Sequence, residues 1–538
     1  MNQQRTSRKS QSDKSKNIQL NKGQACFNCR RRKVRCDGKK PICTPCSTFY
    51  GGGLHDCEYT DTGLAQSQVL EEKISIIESR IQELEKPNET GTSIGLHNPY
   101  RPIRSRGSLS PQLNEFTPDP STSISQSNLI LKSWTDFFHT ITSNVLQYAS
   151  QVGFFLNPQI LEALLEDGAV PSQIACPALL SAIYLWGAHL SRSETMISEA
   201  SLLSDALRNI SGSLSNGRCP NAIMQTLQAE VLLAQYFFCN ARILEGKYHA
   251  SAAVSIALCS GFHKIRSADA RNLANSNLTP AENPMEEGER INSFWAVLTL
   301  NNTWLAADGS PRDISYAVVD TPWPLDMHSY SQASRILPLH SSATVESFLS
   351  NFPDHGTSPI ALHAKAAIVF EQASRLAARF TEDIAVRKSP NMFTAEFSHL
   401  DGVIESLKQA LPPLEPNGSQ LLPLVIHSLA QVATIQLHNP FCLKHDHSRS
   451  CAISAAMAVV EFVRQTNLGD VRYIDAIVGT LWMAACQVLI TELSRAKYSP
   501  RAVHFHEAVE TLLAAMSVFS RGCRMIKLQL ETAQGNYA

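Results

Sequence analysis

The chain has 538 residues, 43% of them hydrophobic and 18% charged, which is the composition of a folded protein large enough for more than one domain. Its 47 Lys and Arg nearly balance 48 Asp and Glu, so the net charge of −1 excludes a uniformly basic or acidic protein. The balance is uneven, because residues 1–60 hold 13 Lys and Arg against 4 Asp and Glu, a footprint suited to a polyanion.

Residues 1–24 combine Gln, Ser, Asn, Lys and Arg with few apolar groups and read as a disordered basic arm. No apolar h-region follows Met1, so secretion is not expected. Six of the 14 cysteines crowd into positions 26–57 and the rest are scattered through apolar sequence. That usage fits reduced thiols in a nuclear or cytosolic setting better than a disulfide framework.

The crowded six read Cys26-x2-Cys29-x6-Cys36-x6-Cys43-x2-Cys46-x10-Cys57. In each Cys-x2-Cys pair, helical i and i+3 side chains share a face, so two thiolates can reach one zinc at about 2.3 Å. Six ligands cannot fill two separate tetrahedra, which need eight. Two zinc ions per chain joined by two bridging thiolates solve the shortage, and the surrounding Arg and Lys offset the excess negative charge. Arg30, Arg31, Arg32, Lys33 and Arg35 stand inside this spacing as candidate contacts to double-stranded DNA.

Residues 25–60 are thus a first domain, and 61–86 a connector and short coiled coil. Leu70, Ile74, Ile77, Ile81 and Leu84 are spaced 4, 3, 4 and 3, a heptad seam with Ile74 and Ile81 at a and the others at d. Lys73 and Arg80 at g precede Glu78 and Glu85 at e by five residues each, the order a parallel homodimer uses. One amphipathic helix packed on its own chain is the alternative. Residues 87–128 are rich in Pro, Ser, Thr, Gly and Asn and read as a disordered linker.

From 129 to 530 long helical patterns dominate, giving a mainly α chain with a large all-α domain, and 531–538 is expected to be a disordered tail. Ile223, Leu227, Val231, Ala234 and Phe238 form one helical stripe, and Leu179, Ile183, Trp186 and Leu190 another. Asn157-Pro158 reads as a helix start. The apolar stretch from Ala476 to Ile490 is interrupted and shorter than the roughly 20 residues of a membrane span, so a buried helix and no membrane partner are expected.

Cys26-Phe27-Asn28-Cys29-Arg30-Arg31-Arg32-Lys33-Val34-Arg35-Cys36-Asp37, with Pro41 before Cys43, resembles the fungal binuclear zinc cluster family. The resemblance implies that Cys26 and Cys43 bridge, that Cys29 and Cys36 complete one site, and that Cys46 and Cys57 complete the other. It further implies that Arg32 and Lys33 read a CGG-like triplet in the major groove while Arg30, Arg31 and Arg35 contact phosphates. The last interval, ten residues from Ser47 to Asp56, is longer than the family's usual one. Gly51, Gly52 and Gly53 can accommodate the surplus as a bulge. His55 is a rival last ligand, although Cys57-Glu58-Tyr59 resembles the family's ending.

Downstream, Ala257 to His263, Glu289 to Trp295, Gly309-Ser310-Pro311 and Leu437 to Phe441 resemble segments of the fungal-specific transcription factor domain. Asn301 and Asn302 stand where an acidic residue is common. Packing and helix termination account for His263, Trp295 and His438. The run His438, Cys442, His445, His447 and Cys451 is expected to be a polar loop rather than a metal site. No nucleophile elbow, P-loop, dinucleotide fingerprint or zincin motif occurs, so no enzyme activity is expected.

The resemblance implies a nuclear, zinc-dependent transcription regulator at RNA polymerase II promoters, a homodimer with a coactivator, corepressor or small-molecule effector as further partners. The alternative is a helical interaction or scaffold protein with a degenerate, weakly DNA-binding cluster. An enzyme fused to a targeting module is a third reading.

Overall fold

The computed structural model describes residues 25–50, 57, 136–166, 170–191, 197–215, 221–269, 280–332, 337–382, 390–415, 421–469, 471–496 and 500–537. The chain divides into two units, Met1–Glu115 and Phe116–Ala538. The heptad residues Leu70, Ile74, Ile77, Ile81 and Leu84, with the basic arm and the linker, lie outside the described residues.

In the first unit two short helices, α1 (Phe27–Arg31) and α2 (Thr44–Tyr50), pack against each other around the cysteines. Both begin just after a cysteine, so each Cys-x2-Cys pair straddles a helix start.

The second unit is built from helices α3 (Pro177–Leu190), α4 (Glu199–Ile210), α5 (Ala222–Cys239), α6 (Ile243–Cys259) and α7 (Pro284–Asp308). Then come α8 (Pro359–Glu382), α9 (Pro390–Ala410), α10 (Leu421–His438) and α11 (Asp446–Gln465). The last three are α12 (Ile477–Arg495), α13 (Arg501–Phe519) and α14 (Arg524–Tyr537). Shorter helices precede α3, including 136–147 and Gln159–Ala163. Among the described residues there is no strand, only an isolated bridge between Ser267 and Ser341.

Local chemistry explains the ends of these helices. Asn283 caps α7 by accepting from the Glu286 N–H at 3.0 Å, Pro284 follows at the first turn, and Glu286 and Glu287 complement the helix dipole. Gly309 closes the same helix at φ +73°, a left-handed position where a side chain would be strained. Asn157 accepts from the Gln159 N–H at 3.1 Å, making the expected start at Asn157-Pro158.

One continuous core joins the helices, with α8 packed on α7 and α10, α5 on α6 and α3, and α12 on α13 and α14. Trp186 donates to the Leu232 carbonyl at 2.8 Å, locking α3 to α5. The stripe read on α5 is only part of what that helix buries. Gln225, Gln228, Glu230 and Gln235 are also buried, each with at least one hydrogen-bond partner far along the chain or on the next helix. Gln228 accepts from Phe155 N–H at 2.7 Å, Gln225 from Cys176 N–H at 2.6 Å, and Glu230 pairs with His249 at 2.6 Å.

One expectation is corrected. Helix α14 runs to Tyr537 with Ala533 buried, so 531–537 is not a disordered tail. Leu530, Ala533 and Tyr537 continue the helical stripe at steps of three and four, and that stripe packs on the core. Two helical stretches, Leu421–Phe441 and Ile477–Arg495, are long and apolar enough to cross a membrane by length and composition. Their apolar windows are 83% and 56% buried inside the protein, which accounts for their hydropathy as core packing.

Candidate metal centre

Cys26 is the N-cap of α1, and its sulfur accepts from the Cys29 N–H at 3.4 Å. The side chain of Asp37 holds the start of α2, accepting from the Thr44 N–H at 3.0 Å and from its hydroxyl at 2.5 Å. Asp37 is therefore engaged as a cap, a role that no local sequence pattern signals. Its hydrogen bonds from Thr44 lower its pKa.

The sulfurs converge. Cys43 Sγ lies 3.7 Å from Cys26 Sγ, 3.5 Å from Cys29 Sγ and 3.7 Å from Cys57 Sγ. Cys46 Sγ lies 3.8 Å from Cys26 Sγ and 3.7 Å from Cys29 Sγ. Cys36 joins through Cys43, with which it forms a second close grouping. Thiolates around tetrahedral zinc at about 2.3 Å stand about 3.8 Å apart along each edge, and the sulfurs of Cys26, Cys29, Cys43 and Cys46 gather at separations of that size. Cys43 is the sulfur nearest to most of the others. Soft sulfur donors at this spacing fit zinc and do not fit a hard oxygen-seeking ion.

Burial pushes the Cys26 and Cys43 thiols well above the ordinary thiol range. For Cys36 burial also acts upward, but backbone N–H groups and neighbouring thiols outweigh it and bring it to about 7. Deprotonating Cys26 and Cys43 therefore demands strong local positive charge, which divalent ions supply.

Arginine supplies more. Arg32 Nη2 donates to Cys46 Sγ at 3.2 Å, and its Nε to the Asn28 carbonyl at 3.4 Å. Arg30 Nε donates to the Ala25 carbonyl at 2.7 Å, yet the residue is exposed. Lys33, at φ +54°, and Arg35 are exposed as well. Arg31 lies in α1, and its side chain is outside the described residues, as is His55. The Arg32 contact with sulfur was not foreseen, since spacing alone does not tell a groove-facing arginine from one folded back on the cluster.

The downstream run of histidines and cysteines differs from the expected loop. His447 and Cys451 sit on α11, where they face each other at 3.6 Å one helical turn apart. His438 is fully buried at the end of α10 and pairs with Asp401 at 3.1 Å. Among the described residues, the groupings able to hold a metal are those of the N-terminal cysteines.

Two family models match the chain. The fungal Zn(2)-Cys(6) binuclear cluster domain covers residues 24–63, and the fungal specific transcription factor domain covers residues 134–350. No curated protein and no solved structure matches. The first domain binds two zinc ions through cysteine thiolates, and both are domains of transcription factors rather than enzymes. Cysteine spacing, sulfur geometry and two family matches in this order agree: the chain carries a fungal Zn(2)-Cys(6) binuclear cluster domain followed by a fungal specific transcription factor domain, the pairing expected of a zinc-binding, DNA-binding regulator of transcription.

Proposed function

We propose that this regulator acts in the nucleus at RNA polymerase II promoters as a homodimer that reads a pair of CGG-like triplets. Cys26 and Cys43 bridge the two zinc ions, Cys29 and Cys36 complete one tetrahedron, and Cys46 and Cys57 the other. Lys33 and Arg32 address base edges, while Arg30, Arg31 and Arg35 hold phosphates. A triplet supplies only about 1–3 kcal/mol of discrimination per good bidentate contact, too little to find one genomic site. Pairing through Leu70, Ile74, Ile77, Ile81 and Leu84 adds a second triplet. The helical domain transmits the effect of a coactivator, corepressor or small-molecule effector.

The observation that carries this reading is the gathering of the cysteine sulfurs at tetrahedral-edge distances beside exposed Arg30, Lys33 and Arg35. The test is selection of bound sites from random DNA by the full-length zinc-loaded protein, followed by footprinting over a salt series. Paired triplets at fixed spacing, with affinity falling steeply as salt rises, are expected. Zinc-loaded protein with no site preference would support the scaffold alternative instead.

A further inference from the structure

The helical unit contains a cavity of about 140 Å³ between α5, α7, α8 and Asp475, two residues before α12. Its opening includes exposed Ser150. Its polar lining includes Ser150, Asn292, Thr299 and Thr303 and, from three separate elements, Gln235, His363 and Asp475. Gln235 and Asp475 are almost wholly buried, at 5% and 8% exposure.

Their hydrogen bonding is incomplete in one consistent sense. Gln235 Nε2 donates to Asp475 Oδ2 at 3.3 Å, and Asp475 Oδ1 accepts from the Ile477 N–H at 3.0 Å. These contacts fix the amide orientation, since a flipped Gln235 would set two oxygens against each other. Gln235 Oε1 is then left buried with no partner, as is His363 Nε2. No Lys or Arg lines the cavity or pairs with Asp475 among the described residues. A buried carboxylate without a cation is costly, and proteins ordinarily pair such a charge or neutralise it. His363 is held neutral by burial, which lowers it to about 4, so it contributes no positive charge. In its Nδ1–H tautomer it offers a lone pair at Nε2.

The three groups therefore present acceptors, and what they lack is a donor that carries positive charge. An ammonium group has three N–H donors and one positive charge. A volume near 140 Å³ holds roughly four or five waters, or an organic body of about six heavy atoms. Water could satisfy the orphaned acceptors but would leave the charge of Asp475 unpaired.

We propose that this cavity binds a small primary amine in its cationic form, with the ammonium held between Asp475, Gln235 Oε1 and His363 Nε2 and the short alkyl body against Ala296. The site lies in the helical unit and is independent of how the zinc cluster reads DNA.

The experiment titrates the full-length protein at neutral pH with n-butylamine, n-butanol and ammonium chloride, following Tm and heat of binding. Butylamine should raise Tm saturably by about 2 °C or more, while butanol and ammonium chloride at equal concentration do not. Asp475→Asn keeps an oxygen for the Ile477 N–H and should abolish the response. Ala296→Leu fills the cavity with the charge intact and should abolish it too, so the test survives a poorly folding Asp475→Asn. No response to butylamine overturns the proposal, because the cavity then holds water only. An equal response to butanol or to ammonium chloride, or binding retained in both variants, overturns it as well.

Discussion

Arg32 lies with its guanidinium 3.2 Å from the sulfur of Cys46, bridging α1 to the second Cys-x2-Cys pair. Six thiolates around two Zn²⁺ carry an excess of negative charge, and a hydrogen bond from an arginine to a ligand sulfur disperses it. Arg32→Ala is expected to weaken zinc retention by about 10–100-fold, the usual penalty for losing an outer partner of a metal ligand. Competition with a chelating indicator measures this. Unchanged zinc retention with loss of DNA affinity alone would show that Arg32 serves only the groove.

Gly187 in α3 sits where an added Cβ would lie 2.3 Å from the carbonyl oxygen of Ile141, whereas Gly402 in α9 faces open space. In an open helix, Gly→Ala gains up to about 1 kcal/mol. Gly402→Ala should therefore raise the urea midpoint. Gly187→Ala should lower it, with a loss of about 1–3 kcal/mol of stability, because a backbone atom cannot rotate away from the clash. If the two variants shift stability in the same direction, the close approach of helix 136–147 to α3 is wrong.

The zinc cluster was legible because metal chemistry is local: six ligands within 32 positions announce themselves by spacing. Helical stripes such as Leu179, Ile183, Trp186 and Leu190 were legible for the same reason. Polar pairings across the fold were not. Asn302 stands where an acid is common, and it donates to the Tyr316 hydroxyl at 2.9 Å, which in turn donates to Glu371 at 2.9 Å. The acid of this network thus comes from α8, where Glu371 also meets Arg312 and Arg375. Gln235 and Asp475, 240 positions apart, meet only through tertiary packing. The helix over 531–537 is not legible in the sequence, because Ala533 looks unremarkable until its helix face is known to be covered.

Asp475 should make stability fall as pH rises over a window where ion-paired carboxylates do the opposite. Burial pushes its carboxyl from 3.8 up to about 6, against the opposing hydrogen bonds from Ile477 and Gln235. Between those values the folded chain holds a proton that the unfolded chain releases, so stability is lost as pH increases. The total is up to about 3 kcal/mol. The groups around it, His363, Tyr473 and Cys239, are uncharged over most of this window, since burial lowers the first and burial or neighbouring groups raise the others. Asp475→Asn should remove this component, so the stability difference between variant and parent grows from pH about 4 to about 6 and then levels off. Urea midpoints across that range decide it, and parallel profiles would contradict the buried unpaired carboxylate.

Cys57 ends a ten-residue interval, and its backbone N–H donates to the Pro41 carbonyl at 2.8 Å while its sulfur accepts from the Cys43 N–H at 3.3 Å. These two bonds pin Cys57 beside Cys43 from both its backbone and its side chain, so the preceding segment has no need to be short for the sulfur to reach the cluster. Replacing the thiol should then empty one tetrahedron. We expect Cys57→Ser in the full-length chain to retain about one zinc, and His55→Ala to retain two. Cys57→His should recover part of the loss, because imidazole nitrogen bonds zinc at about 2.0–2.1 Å. Elemental analysis after gel filtration, with the triplet footprint as the paired readout, separates the two ligands. Zinc lost from His55→Ala and kept by Cys57→Ser would hand the sixth position to the imidazole. The Cys43 N–H bond to Cys57 would then be a structural contact of the loop rather than the support of a metal ligand.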